Sequence, residues 1–186
     1  MKNKFNSYDM NGNEKSHDYG DVFELEPTTG ASRLKIGVTS GPVDLMLHLA
    51  DNLAPPFFVL YVLVASRRGN ELGRYQSPLI ATRDKMESFF GYFRDYFETD
   101  GRHHVWINTV DHSGTIIYDQ HNVIFAYGPT EKWKEELVDE GFKEKAFRFP
   151  IPHSHEFHSD NDKYEDEILD YWDWSVFELA DQDLYD

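Results

Sequence analysis

Apolar and polar positions divide the chain into a polar start and a patterned remainder. Residues 1–21 show no apolar period and are rich in Asn, Gly, Ser, Lys and Asp, which predicts a flexible leader. Val22–Glu26 reads as a short strand, followed by a turn at Pro27-Thr28-Thr29-Gly30. From Arg33 to Thr39, Leu34, Ile36 and Val38 alternate with Arg33 and Lys35, the period of a half-exposed strand. Gly41-Pro42 opens a helix, because proline suits the first helical turn, and Val43, Met46, Leu47, Leu49 and Ala50 form its stripe. Phe57 to Ala65 is continuously apolar, as in a central strand buried on both faces.

A long loop over residues 66–78 precedes a helix that starts at Thr82. Met86, Phe89, Phe90, Phe93 and Phe97 recur three and four apart along it, and Asp100-Gly101 ends it, with the glycine expected in a left-handed conformation. His104–Val110, Thr115–Asp119 and Val123–Tyr127 read as strands joined by turns too short for anything but antiparallel neighbours. Glu131–Glu140 is a helix with Trp133, Leu137 and Val138 on its inner side, and Lys145–Phe149 reads as an edge strand. Leu169, Trp172, Val176 and Leu179 share a helical face, which predicts an acidic C-terminal helix over residues 163–180. This order predicts an α+β fold for a single domain over 22–186: a mainly antiparallel sheet covered by about four helices, with one parallel pair from the early strand–helix–strand units.

Composition narrows the chemistry. The 186 residues are 16% aromatic, enough for a core without staples. The absence of cysteine excludes disulfides, thiolate metal sites and thiol nucleophiles, and fits a cytoplasmic protein. The apolar run at 57–65 falls short of the roughly 20 residues a membrane span needs. A net charge of −16 disfavours nucleic acid and anionic membrane surfaces. Residues 160–186 carry eleven acids against one base, Lys163, so the end of the chain holds most of that charge.

Three groups of residues are candidates for function. His153, His155 and His158 lie close together, and on an extended segment His153 and His155 point the same way, which suits a divalent metal. Arg67, Arg68 and Arg74 lie in the glycine-containing loop over 66–78, able to clamp an anion, or to pair with the protein's own acids. Asp166, Asp170 and Asp173 lie off the apolar stripe of the C-terminal helix, and Trp174 is expected there as an exposed aromatic anchor. His112 and His121 lie in turns near Asp111 and Asp119, where carboxylates serve the turn itself. No nucleophile elbow or phosphate-binding glycine motif is present.

The leading expectation is a non-enzymatic binding protein, without a cofactor, whose acidic C-terminal surface meets a basic protein partner. In composition alone such a chain is similar to bacterial immunity or inhibitor proteins that block basic toxins. The alternative is a metal-dependent enzyme with a site at His153, His155 and His158 that acts on an anionic small molecule.

Overall fold

The computed structural model describes residues 2–184. Among them the chain forms five α-helices and two sheets, an α+β fold whose large sheet is mainly antiparallel. In chain order the strands are β1 (Phe5–Tyr8), β2 (Glu14–Ser16), β3 (Val22–Glu26), β4 (Arg33–Gly37), β5 (Phe57–Leu63), β6 (Gly73–Gln76), β7 (His103–Thr109), β8 (Thr115–Tyr118), β9 (Val123–Tyr127), β10 (Lys143–Glu144), β11 (His153–His155) and β12 (Ser175–Phe177). The helices are α1 (Pro42–Ala50), α2 (Arg83–Tyr92), α3 (Arg94–Thr99), α4 (Thr130–Asp139) and α5 (Asp162–Tyr171).

The large sheet runs β10-β3-β4-β9-β8-β7-β5-β6-β12, and β5 lies inside it between β7 and β6. The parallel pair is β10 with β3, at one edge, and not a product of the early strand–helix–strand units. Alternation along the strands assigns the two faces. Leu34, Ile36, Val59, Tyr61, Val105, Ile107, Ile116, Tyr118, Ile124 and Ala126 join the helices in the core, while Arg33, Lys35, Trp106, Ile117 and Phe125 line the opposite face. The helix expected from Thr82 is two abutting helices broken at Phe93 (φ −95, ψ 10), yet its phenylalanine stripe stays buried throughout.

The leader is a correction. Residues 5–8 and 14–16 are strands in a small second sheet, β11-β1-β2, where Phe5 pairs with His155. Phe5 is 1% exposed, and the buried Lys4 donates to the Phe97 carbonyl at 2.9 Å. The pairing is long-range and most of its side chains are polar, so no local period marks it. Gly101 is what lets this sheet approach. A Cβ there would lie 2.8 Å from the Lys4 carbonyl oxygen and 3.0 Å from the His155 Cβ. The glycine therefore serves close approach and not a left-handed helix end.

The C-terminal helix is the second correction. It ends at Tyr171, and Ser175–Phe177 pairs antiparallel with β6. Aromatic and β-branched residues follow Tyr171, and β6 offers an open edge, so pairing takes over from the helix. Trp172 stacks on Phe89 (ring centroids 4.2 Å apart), but Val176 is 51% exposed. Trp174 is no exposed anchor: half-buried against the core, it donates from Nε1 to the Ile168 carbonyl at 2.8 Å, filling an acceptor of the last helical turn.

Candidate metal centre

The turn between β8 and β9 is built by Asp119. Its Oδ1 accepts the backbone N–H groups of His121 (3.0 Å) and Val123 (2.9 Å), and Asn122 takes the left-handed conformation (φ 63). This folds the buried His121 ring towards β11, where His153 and His155 lie on one side of the strand, two residues apart. One nitrogen from each of the three imidazoles lies within 4.8 Å of the others.

Each ring is oriented from behind. His121 Nδ1 meets Asp119 Oδ2 at 2.9 Å, His153 Nδ1 meets the Pro150 carbonyl at 2.8 Å, and His155 Nδ1 meets the Gln120 carbonyl at 3.2 Å. Carbonyl and carboxylate oxygens only accept, so each Nδ1 donates and the lone pair of the neutral ring falls on Nε2. Outer-shell acceptors of this kind orient the histidine ligands of metal sites. The His155 Nε2 is buried without a hydrogen-bond partner among the described residues. Burial first, then the neighbouring His121 and His153, pushes the His155 imidazole down to about 4, so it is neutral at physiological pH. Phe5 packs against all three rings at centroid distances of 5.2–5.5 Å, and Phe149 stacks on His121 at 4.4 Å.

Zn–N bonds of about 2.0–2.1 Å place tetrahedral nitrogens about 3.4 Å apart, so each ring needs to move inward by less than about 1 Å. Three imidazoles suit Zn²⁺, Ni²⁺ or Cu²⁺ and leave further positions for water.

Of the three histidines expected together, the structure brings His153 and His155 into one cluster and places His158 outside it. His158 lies beyond the end of β11. Its Nε2 meets the Asn3 carbonyl at 2.8 Å and its backbone N–H donates to Asp100. The missing member, His121, comes from a turn far away in sequence. Its one local signal is the Asp-x-His spacing with Asp119.

The loop arginines do not form an anion clamp. Arg67 pairs with Asp162 (3.0 Å), Arg68 with Asp166 (2.9 Å), and Arg74 with both carboxylate oxygens of Asp183 (2.7 Å each). Asp166 also accepts from Asn70 at 3.0 Å, so its carboxylate, though partly exposed, is already engaged within the chain. Asp170 and Asp173 remain exposed, with no ion pair among the described residues.

Among the described residues no helix is long and apolar enough to cross a membrane. No protein-family model, curated protein or solved structure matches this chain.

Proposed function

We propose that this protein binds a divalent transition metal through His121, His153 and His155. The observation that supports this most is the convergence of three imidazoles, each held at Nδ1 by an acceptor. His121 comes from the turn joining β8 and β9 of the large sheet and the other two from β11 of the small one, so the ion fastens the two sheets together. Three protein ligands leave a position for water, which a bound Zn²⁺ makes acidic, with a pKa of about 7.

Calorimetric titration of chelator-treated protein with Zn²⁺ and Ni²⁺ tests the reading. One ion per chain is expected. His153→Ala should abolish binding and His158→Ala should leave it intact. Wild-type protein that takes up neither ion sinks the proposal, as does a His153→Ala variant that binds as wild type does.

A second reading, recognition of a basic protein, keeps one observation in its favour. β12 is the outermost strand, Val176 and Phe177 are each more than half exposed, and Asp170, Asp173, Glu178 and Asp181 around them make no ion pair among the described residues. Such an edge suits an extended basic and apolar segment added as a further strand. Titration with a peptide of alternating Lys and Val tests it. Binding that is lost in high salt and in Asp170→Asn/Asp173→Asn supports the reading, and no binding at low salt removes it.

A further inference from the structure

The sheet face opposite the helices holds a cleft of about 600 Å³. Its floor is Trp106, Ile117, Phe125 and Tyr127, and its walls are Phe149 and the Gln182–Asp183 turn. The second wall is fixed in place. Arg74 grips the Asp183 carboxylate, the Asp183 backbone carbonyl lies 3.1 Å from His104 Nε2, and the Ala180 N–H donates to Asp183 Oδ2 at 2.7 Å. The volume falls in the range of about 300–1,000 Å³ typical of small-molecule sites, and aromatic lining with a few polar groups is their usual chemistry.

The polar groups limit what fits. Arg33 and Lys35 line the cleft with Glu26 and Asp183, two positive charges against two negative, so the lining is neutral in a strongly acidic protein. Every one of these charges is already paired. Arg33 Nε donates to Glu26 (2.6 Å) and its Nη1 to the Tyr127 hydroxyl (2.8 Å). Lys35 Nζ donates to Glu24 (2.9 Å) and to the Phe147 carbonyl (2.7 Å). A phosphate finds no spare cation here, and a metal ion finds no spare carboxylate. Flat surfaces are what the cleft offers. The Arg33 guanidinium lies 4.1 Å from the Phe125 ring centre, and Arg74 lies 5.6 Å from that of Trp106. The Trp106 indole N–H has no acceptor among the described residues.

We infer that this cleft binds an uncharged planar heteroaromatic molecule, which stacks on its rings and brings a ring nitrogen or carbonyl as acceptor for Trp106. The cleft borders the histidine cluster through Phe149, which walls the cleft and stacks on His121.

Fluorescence anisotropy with lumichrome, a three-ring uncharged heteroaromatic, and calorimetry with quinoline, a two-ring one, test the inference with chelator present throughout. Saturable binding of at least one probe, at one per chain, is expected. Ile117→Trp adds an indole to the cleft floor without removing any polar group, and should weaken binding by about tenfold or more through steric exclusion. Trp106→Phe keeps a ring and removes the donor, and should weaken binding several-fold while leaving the circular dichroism spectrum unchanged. If neither probe binds wild-type protein, the inference is overturned. It is equally overturned if both variants, folded, bind as wild type does.

Discussion

Arg102 and Asp100, two residues apart, form a two-pronged ion pair with no solvent exposure: Nε to Oδ1 at 2.7 Å and Nη2 to Oδ2 at 2.9 Å. The same guanidinium reaches Glu165 on α5, the Asp162 carboxylate (3.1 Å) and the His158 carbonyl (3.1 Å). One arginine at the start of β7 thus ties the acidic helix to the sheet. Arg102→Leu leaves Asp100 and Glu165 buried with their charges uncompensated, and should cost about 3–5 kcal/mol in urea unfolding. Replacing Asp100 and Glu165 by apolar residues in the same chain should recover much of that loss.

Phe5 carries the prediction for the N-terminal segment. It is buried against His17, Tyr19 and the three clustered histidines His121, His153 and His155. Phe5→Ala should lower stability by about 3–5 kcal/mol, the cost of removing a fully buried ring. A loss below about 0.5 kcal/mol, the ordinary size of a surface change, would mean that the segment is a loose leader after all.

Gly101→Ala tests the contact between the sheets. The added methyl meets the Lys4 carbonyl and His155 Cβ, so β1 and β11 must move. A cost of about 1–3 kcal/mol is expected from this overpacking, and Zn²⁺ binding should weaken with it. Unchanged stability and affinity would show that the small sheet has room to spare.

Lys4 supplies a pH dependence. Its ammonium is buried over the Tyr118 ring at 3.8 Å, and burial pulls its pKa from 10.5 down to about 7. Between these values the unfolded chain holds a proton that the folded chain has released. Stability from this group therefore rises with pH from about 7 to 10.5, by at most about 1.4 kcal/mol per pH unit. Urea titrations across this window should show the slope in wild type and a flatter one in Lys4→Met.

Trp172 and Val176 separate the observed C-terminus from a single continuous helix. Trp172→Ala removes a ring stacked on Phe89 and should cost about 2–4 kcal/mol. Val176→Ala, at an exposed edge, should stay within about 0.5 kcal/mol. Equal losses at the two positions would restore the helical stripe.

Elements whose signal is local were legible in the sequence. The run 57–63, the phenylalanine stripe of α2 and α3, and the short turns around β8 each carry their own period or turn chemistry, and the α+β class followed from them. β1 was not legible, because Asn6 and Lys4 are satisfied by Glu156 and Phe97, groups that no window of sequence contains. The stripe through Leu169, Trp172, Val176 and Leu179 misled because helical spacing arises by chance in a segment dense in aromatics. In the histidine cluster, strand alternation put His153 and His155 on one side, as observed. The period breaks where β11 ends, so it gave no guide to His158, and only the fold delivers His121.

The pairing of β1 with β11 also sets an order of events during synthesis. Asn6 donates to Glu156 across 150 positions of chain. At about 5–20 residues per second, the first strand waits roughly seven to thirty seconds for the strand that completes its sheet. A nascent chain exposes Phe5 throughout that interval and holds at most one of the three clustered histidines until residues 153 and 155 are made. A ribosome stalled before residue 153 therefore carries a chain in which the three imidazoles cannot cluster.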